Sequence, residues 1–307
     1  MIDKKEMKNS RFNVKKFFFP FSPIKSFRST RLLFLMAILI ALRLVLGLIT
    51  IRIAPFALSI SFAWIPLMVL GWYFGPVVGL VLGILTDTIS FLMAGGGIWF
   101  WMYAIQEPII GFISGLIAGW CRYRKQTNNT KITWDVIINQ IIVIAFAVLS
   151  LVILVVWLDP SAQWEGHKQK YEQFYTIYKW TAVGGVSLLF VIYEILISYN
   201  LFKKTKNKQH NIMINFIYAS ALVIILMLIF SIALGPITAV EYIKFINGGI
   251  TPEPFLKYGS IFYLVPRVAI ESLKVPVEAS CLFGIVCLFD KKVLNIVNKI
   301  NNSWNPA

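Results

Sequence analysis

The stretch that decides the fold runs from residue 134 to residue 158 and reads WDVIINQIIVIAFAVLSLVILVVWL, in which Asp135 is the one charged residue. Wound as an α-helix, this stretch would be about 37 Å long, which exceeds the roughly 30 Å hydrocarbon core of a bilayer. A helix that is apolar on all sides is typical of a membrane span. The sequence therefore predicts an integral membrane protein.

Seven more apolar runs surround this stretch, and together they predict an all-α integral membrane fold with about eight transmembrane helices. The other runs lie at about 32–51, 62–74, 76–94, 100–121, 178–202, 212–245 and 263–289. Of the 307 residues, 58% are hydrophobic and only 14% are charged, and the mean hydropathy is +0.74. A soluble domain carries about 25% charged residues. We expect Gly235-Pro236 to break or kink the run at 212–245.

The basic residues predict the topology. Lys and Arg total 29 against 14 Asp and Glu, which gives a net charge of +15. About twenty of them fall on the side of the N-terminus and about six on the opposite side. This asymmetry predicts a multi-pass protein of the cell membrane with both termini in the cytoplasm. Because the charge lies in loops between spans, we expect contact with membrane lipid and no nucleic-acid partner.

The chain divides into three predicted regions. Residues 1–31 form a basic cytoplasmic segment, residues 32–290 a transmembrane helical domain, and residues 291–307 a cytoplasmic tail. The first region contains the cluster Phe17-Phe18-Phe19-Pro20-Phe21. This cluster could enter the headgroup region of an anionic leaflet, or the segment could be a disordered tail whose charge fixes the topology.

A charged stripe in the last span is the most informative feature for function. Arg267, Glu271, Lys274 and Glu278 follow one another at spacings of four, three and four residues, which places them on one helical face. Charges at bilayer depth are costly and usually line a site or pair internally. The stripe could be a neutralised ladder within the bundle. Alternatively, Arg267 and Lys274 could bind an anionic ligand.

Other charged residues in the spans indicate internal pairing. Asp87, Glu107 and Glu194 could each pair with a basic residue on another helix, for example Arg43, and we favour this structural role for Asp87. An ion-coupled transporter is the competing hypothesis. In that case Asp87, Glu107 and Glu271 would be proton or cation sites.

Aromatic residues gather near the predicted outer ends of the spans. They are Trp64, Trp99, Trp101 and Tyr103 around the loop Gly95-Gly96-Gly97, and Tyr263 at the start of the last span. They could form an interfacial belt. They could equally provide a stacking site for a planar ligand, and the glycine loop near Arg267 favours this second interpretation.

Two pairs of small residues indicate close helix packing. Ala37 and Ala41 are four residues apart in the first span, and Gly79 and Gly83 are four apart in the third. Such pairs leave a groove that another helix can enter. The other helix could belong to this bundle or to a partner protein.

Several motifs of enzymes are missing from the sequence. It contains no G-x-x-x-x-G-K-[ST], no H-E-x-x-H and no G-x-S-x-G, and its two histidines, His167 and His210, fall in loops on opposite sides of the predicted membrane. The three cysteines form no metal-binding or disulfide pattern. We therefore expect no catalytic residues, no metal site and no cofactor, and neither an enzyme nor an ATPase.

The order of small residues and prolines in the first half resembles a known family. The matching elements are Ala37-xxx-Ala41, Ile60-Ser61-Phe62-Ala63-Trp64-Ile65-Pro66, Gly71-xxx-Gly75-Pro76-xx-Gly79-xxx-Gly83-xxx-Asp87 and Gly111-xxx-Gly115-xxx-Gly119. The chain resembles the substrate-binding S component of energy-coupling factor (ECF) vitamin transporters, most closely the folate-type branch. The last span, from Arg267 to Glu278, resembles the closing helix of that family, and the likeness covers about half the chain.

The resemblance implies a six-helix bundle that captures a vitamin from outside the cell. It also implies a transmembrane coupling subunit and two ATPase subunits as partners, with Ala37, Ala41, Gly79 and Gly83 in the docking face. ATP would then be hydrolysed in other chains. On this comparison, residues 134–202 form an inserted helix pair.

The resemblance further implies a small, anionic, partly planar vitamin as the ligand. Folate is the first choice, because its pterin could stack on the tryptophans and its carboxylates could bind Arg267 or Arg52. The chain departs from the folate-type branch at Gly97-Ile98-Trp99-Phe100-Trp101-Met102-Tyr103 and at Ser59. Pantothenate, riboflavin and pyridoxal-like compounds therefore stay open.

Overall fold

The computed structural model describes most of the predicted membrane domain. The described residues are 17–18, 20, 29–49, 51–54, 58–93, 98–126, 132–157, 180–181, 183–195, 198, 207–250 and 261–302. The polar outer segment predicted at 159–177 lies outside these ranges, as do the glycines at 95–97.

Helices dominate the described chain. They are α1 (Thr30–Leu48), α2 (Trp64–Phe74), α3 (Pro76–Met93), α4 (Trp101–Ala104), α5 (Gln106–Gln126), α6 (Ile132–Trp157), α7 (Val183–Ile195), α8 (Asn207–Leu226), α9 (Leu234–Ile246) and α10 (Ile261–Asn302). A π-helical segment, Met227–Ala233, joins α8 to α9. Two short antiparallel strands, β1 (Ile51–Ala54) and β2 (Leu58–Ile60), connect α1 to α2.

Six helical stretches are long and apolar enough to cross a membrane. They are Thr30–Leu48, Pro76–Met93, Trp101–Lys125, Trp134–Val155, Ile212–Ile246 and Arg267–Asp290, and α2 and α7 are shorter apolar helices. These eight elements coincide with the eight predicted runs. The predicted all-α integral membrane fold is therefore confirmed, with the small hairpin as an unpredicted addition.

Helix α2 lies at the centre of the bundle. All ten residues from Ile65 to Phe74 are buried. At eleven residues, α2 is only about 16 Å long, so it cannot cross a bilayer alone, and neighbouring helices surround it instead. It ends at Gly75, whose φ of 91° lies in the left-handed region that favours glycine, and Pro76 then begins α3.

Glycines let α2, α3 and α5 approach one another closely. A Cβ atom at Gly71 or at Gly79 would collide with the backbone of Gly111, and one at Gly83 would meet Pro108 Cα and the carbonyl of Glu107. Gly79 and Gly83, which belong to α3, are thus buried against α5. Close packing inside the bundle therefore occupies the groove that these two glycines leave, and their role in a partner-docking face stays a prediction.

The run at 212–245 is not broken at Gly235-Pro236. The helical path continues from Asn207 to Ile246, with π winding over Met227–Ala233 directly before this dipeptide. Pro236 has no N–H with which to bond the carbonyl of residue 232, as an α-helix would require. We attribute the change of winding to this missing donor, since a π segment is one of the ways in which a helix absorbs such a defect.

At the end of the bundle away from Trp64, one carboxylate joins four helices. Asp290 of α10 accepts hydrogen bonds from Tyr73 Oη at 3.2 Å, from Asn215 Nδ2 at 2.8 Å and from Lys125 Nζ at 3.2 Å. These donors belong to α2, α8 and α5. Since α10 continues to Asn302, the helix extends into the region predicted as a tail.

Part of the N-terminal segment packs on this same end. A Cβ atom at Gly75 would meet the ring of Pro20, and one at Gly119 would lie 3.0 Å from the ring of Phe17. The described members of the phenylalanine cluster therefore contact the bundle, an arrangement that neither sequence-based interpretation of this segment included.

Helices α6 and α7 lie beside the bundle. α6 packs against α8 and α10, and α7 contacts α6 through the rings of Phe146 and Phe190, whose centroids are 5.8 Å apart. Arg124 of α5 forms an ion pair with Asp135 of α6 at 2.6 Å, and Tyr218 of α8 donates a hydrogen bond to the same carboxylate at 3.0 Å.

Candidate functional site

A polar cavity of about 180 Å³ lies among α2, α5, the π-helical segment, α9 and α10. Its lining combines residues that are far apart in the sequence, which are Ser61, Trp64, Tyr103, Gln106, Phe230, Ser231, Gly235, Arg267, Ile270, Glu271 and Lys274. Residues of α6 and α7 do not line it.

The charged stripe of α10 forms one wall of this cavity. Lys274 Nζ lies 3.4 Å from Glu271 Oε2 and 3.3 Å from Glu278 Oε1, so one ammonium group lies between two carboxylates. Lys274 Nζ also lies 5.4 Å from the centroid of the Trp64 ring, a cation–π distance. Glu271, Lys274 and Glu278 therefore form a buried ladder in which one ammonium group lies between two carboxylates.

Arg267 differs from the rest of the stripe. Within the described part of the chain it forms no ion pair, and its buried Nε has no hydrogen-bond partner. Gly235 provides the space for the guanidinium, because a Cβ atom at this position would overlap Arg267 Nη1. An unpaired guanidinium beside a cavity is suited to a carboxylate or phosphate of a ligand.

Several polar lining residues were not predicted from the sequence. Ser231 Oγ donates a hydrogen bond of 2.8 Å to Glu271 Oε1, which leaves Glu271 held from two sides. Ser231 is the one polar residue between Ser220 and Thr238, and that isolation is the signal that could have revealed it. Gln106 and Ser61 carry no comparable signal, because each lies near the predicted end of a span.

A second cavity of about 280 Å³ shares Tyr103 with the first. It is lined by Asp87 and Phe91 of α3, Trp99 and Phe100 before α4, and Tyr242 of α9. The ring centroids of Tyr103 and Tyr242 are 5.3 Å apart in an edge-to-face arrangement, and those of Phe100 and Tyr242 are 5.6 Å apart. The wall of this cavity is therefore built mainly from aromatic rings.

The predicted substrate-binding residues are only partly brought together. Trp64, Tyr103, Arg267 and Lys274 line the first cavity, whereas Trp99 lines the second. Trp101 lines neither cavity, and its side chain is 59% exposed. Trp99 and Trp101 were predicted to share one site, but of the two only Trp99 lines a cavity described here.

Two predicted site residues cannot be placed in the same way. Arg52 belongs to β1 and Tyr263 to α10, but both of their side chains lie outside the described residues. Their proposed contact with a ligand stays a prediction.

The intramembrane carboxylates have separate environments. Arg43 of α1 forms an ion pair with Glu107 of α5. Asp87, for which we favoured pairing, forms no ion pair with any described residue, although Arg43 is close enough to interact with it electrostatically. Glu194 lies in a different crevice, between α6 and α7. No group of three His, Cys, Asp or Glu side chains in the described ranges could hold a metal ion.

The two alanines of α1 remain at the surface. Ala37 and Ala41 are exposed, and exposed apolar residues such as Phe34, Val45 and Leu48 continue the same face. Of the four residues predicted to dock a partner, these two alone are available in this structure.

The chain is similar to known proteins over nearly its whole length. A family model described as ECF transporter, substrate-specific component, matches residues 31–200. An uncharacterized protein of Mycoplasma pneumoniae, the MG313 homolog, is 32% identical over 93% of this chain and 99% of its own length. The uncharacterized protein MG313 of Mycoplasma genitalium is 30% identical over 93% of this chain and 99% of its own. No solved structure matches the chain.

The family match and the first cavity overlap only in part. The matched residues include Trp64, Tyr103 and Gln106, and they continue through α6 and α7. They end before α8, α9 and α10, which contribute Ser231, Arg267 and Lys274. The match therefore identifies the helical scaffold and leaves the charged wall to be interpreted from its geometry.

Proposed function

The chain belongs to the family of ECF transporter substrate-specific components, and from that premise we propose that it captures a small, anionic, partly aromatic vitamin for an ATP-driven importer. The family's role is that of a transporter component rather than of an enzyme. The proposal adds to it the class of ligand, the residues that bind the ligand and the partner subunits.

The observation that carries the proposal is the unpaired guanidinium of Arg267 in a cavity that also contains an aromatic ring. Trp64 offers a ring face beside Lys274, and Arg267 offers a hydrogen-bonding fork with no internal partner in the described chain. A ligand with a carboxylate and a planar ring matches these two groups. Folate is the first candidate, and pantothenate, riboflavin and pyridoxal-like compounds are the others.

The proposed partners are an ECF transmembrane coupling subunit and two ATPase subunits. The exposed face of α1 around Ala37 and Ala41 is the surface we propose for docking, since small residues allow close helix approach. In this arrangement the chain is a multi-pass protein of the cell membrane with both termini in the cytoplasm. ATP hydrolysis in the partners would drive reorientation of the loaded bundle.

We also propose that residues 134–202 are an inserted helix pair. α6 packs on α8 and α10 from the side, and the two cavities described above are lined without α6 or α7. The described residues that line both cavities therefore come from outside this pair.

The central experiment is mass spectrometry of small molecules that the purified chain retains, followed by binding measurements with the compound identified. We expect a vitamin or vitamin precursor. We expect Arg267→Ala to weaken its binding by roughly ten- to hundredfold, as for loss of hydrogen bonds to a charged group, while the protein still folds. Unchanged affinity in the folded variant would remove Arg267 from the site.

A transport assay separates this function from an ion-coupled transporter. In proteoliposomes we expect uptake only when the coupling and ATPase subunits are present with ATP. Uptake by the chain alone, driven by a proton or cation gradient, would contradict the proposal and would instead favour Asp87 or Glu271 as an ion site.

A further inference from the structure

The second cavity places a carboxylate among aromatic rings. Asp87 faces a space of about 280 Å³ whose other walls include Phe91, Trp99, Phe100, Tyr103 and Tyr242. Aromatic faces attract cations through the ring quadrupole, and a carboxylate accepts hydrogen bonds from two adjacent N–H groups. A site with both features is suited to a planar nitrogen ring that is cationic or rich in N–H donors.

The charge of Asp87 is not balanced by the charged side chains near it. Arg43, which interacts electrostatically with Asp87, is already in an ion pair with Glu107. These three residues therefore carry one surplus negative charge at bilayer depth, where an unpaired carboxylate is costly. A donor supplied by a ligand would remove that cost, in the same way that a ligand carboxylate would satisfy Arg267.

Tyr103 lines both cavities, which makes them neighbours. An elongated ligand that passes this residue would contact Arg267 at one end and Asp87 at the other. Trp99, whose side chain is 57% exposed, lines the Asp87 end.

From these features we propose that the ligand is bipolar, with an acidic group at Arg267 and a cationic or N–H-donating ring at Asp87, between Tyr242 and Trp99. This inference rests on the proposed function and narrows its ligand class. It assigns to Asp87 a direct contact with ligand, in place of the purely structural pairing expected from the sequence.

The test is a set of binding measurements on the purified full-length chain in lipid nanodiscs. Four probes separate the two ends of the ligand: pterin has the ring alone, pantothenate has the acid without a ring, thiamin has a cationic ring without an acid, and folate has both a ring and acids. The variants are Asp87→Asn and Arg267→Gln. Glu194→Gln is the matched control, because it removes an intramembrane carboxylate that lies in a separate crevice.

We expect the wild-type chain to bind folate more tightly than pterin or pantothenate. Asp87→Asn should weaken the binding of the ring-bearing probes by roughly ten- to hundredfold and leave pantothenate unchanged. Arg267→Gln should weaken the acid-bearing probes and leave pterin unchanged. The control should bind every probe as the wild type does.

A folding defect can be recognised separately. If Asp87→Asn does not give a monodisperse protein, Asp87→Glu and Tyr242→Leu take its place. The first should retain ring binding, and the second should weaken it. Equal affinity of the wild type and of every Asp87 and Tyr242 variant for the ring-bearing probes would overturn the inference.

Failure of this inference differs from failure of the proposed function. Two results would contradict the inference that the ligand is bipolar: no binding of any ring-bearing probe by the wild type, or a retained compound without a cationic or N–H-bearing ring. Neither result would contradict the proposed capture of a vitamin. If the chain retains no vitamin and does not associate with coupling or ATPase subunits, the proposed function itself is wrong.

Discussion

Arg267 Nη1 lies against Gly235, in the space that a side chain at position 235 would fill. Pro236 follows directly, and the π winding between α8 and α9 ends three residues before it, at Ala233. Gly235-Pro236 thus accompanies a change of winding between α8 and α9, and its glycine leaves space for the guanidinium of Arg267 on α10. The dipeptide that predicted a break or kink in the sequence therefore also includes the residue that leaves space for Arg267.

Gly235→Ala should move the guanidinium of Arg267 without removing it. The added methyl group overlaps Nη1, so the side chain must take another rotamer, and we expect affinity for folate or the retained vitamin to fall about tenfold. The effect on stability should be small, because alanine favours the helix by about 1 kcal/mol while overpacking costs about 1–3 kcal/mol.

Gly284→Ala is the matched control for this substitution. It adds the same methyl group to α10. A Cβ atom at Gly284 would meet no atom of another part of the chain within 4 Å, so this variant should leave binding unchanged. Equal loss of affinity in both variants, measured by titration calorimetry, would show that the proximity of Gly235 to Arg267 is irrelevant to binding.

The ion pair between Arg43 and Glu107 should be structural. The two side chains are only 13% and 8% exposed, so removal of one partner leaves a buried charge and should cost about 3–5 kcal/mol. Arg43→Met and Glu107→Leu should each lower the unfolding temperature strongly, and the double variant should recover most of the loss. Additive losses in this double-mutant cycle would exclude a direct coupling.

Lys274 and Arg267 should behave differently although they share one face of α10. Lys274→Met leaves Glu271 and Glu278 close together without their cation, and we expect it to destabilise the fold by about 3 kcal/mol or more. Arg267→Met removes a group that has no ion-pair partner in the described chain, and it should reduce ligand affinity with little loss of stability. Thermal unfolding in detergent, measured with and without vitamin, distinguishes the two outcomes.

The small-residue pairs should separate partner docking from internal packing. Ala37→Leu and Ala41→Leu enlarge exposed side chains, so stability should change by only about 0.5 kcal/mol while copurification with the coupling subunit is lost. Gly79→Ala places a methyl group against the backbone of Gly111, which cannot move aside as a flexible side chain can. It should destabilise the bundle by about 1–3 kcal/mol.

Retention of the coupling subunit by both alanine variants would argue against the proposed docking face. A Gly79→Ala protein as stable as the wild type would argue against the close contact between α3 and α5.

Long apolar runs predicted the fold well, because the cost of exposing backbone in lipid leaves few alternatives to helices. All eight runs correspond to helices in the structure. The hairpin between α1 and α2 was missed, since two strands of four and three residues give no clear alternating pattern. The spacing of Arg267 and Lys274 correctly placed both on one face, because helical periodicity relates residues within one helix.

Relationships between different helices were harder to predict. Whether Gly79 faces a partner or α5 depends on the rotation of α3, which the spacing of small residues does not determine. Similarly, Arg43 could have paired with Asp87 or Glu107, since both belong to neighbouring helices. Trp101 was grouped with Trp99 by proximity in the sequence, but α4 turns the two tryptophans towards different surroundings.

The hydrogen bonds that Asp290 accepts make one end of the bundle stiffer than the other. Tyr73, Lys125 and Asn215 bind α2, α5 and α8 to one carboxylate of α10. The opposite ends of α2, α5 and α10 line the first cavity instead. Helices that are pinned at one end and unfilled at the other splay most easily at the unfilled end. In the proposed function, the ligand would therefore enter by a spreading of the helix ends around the first cavity, while Asp290 keeps the other ends together.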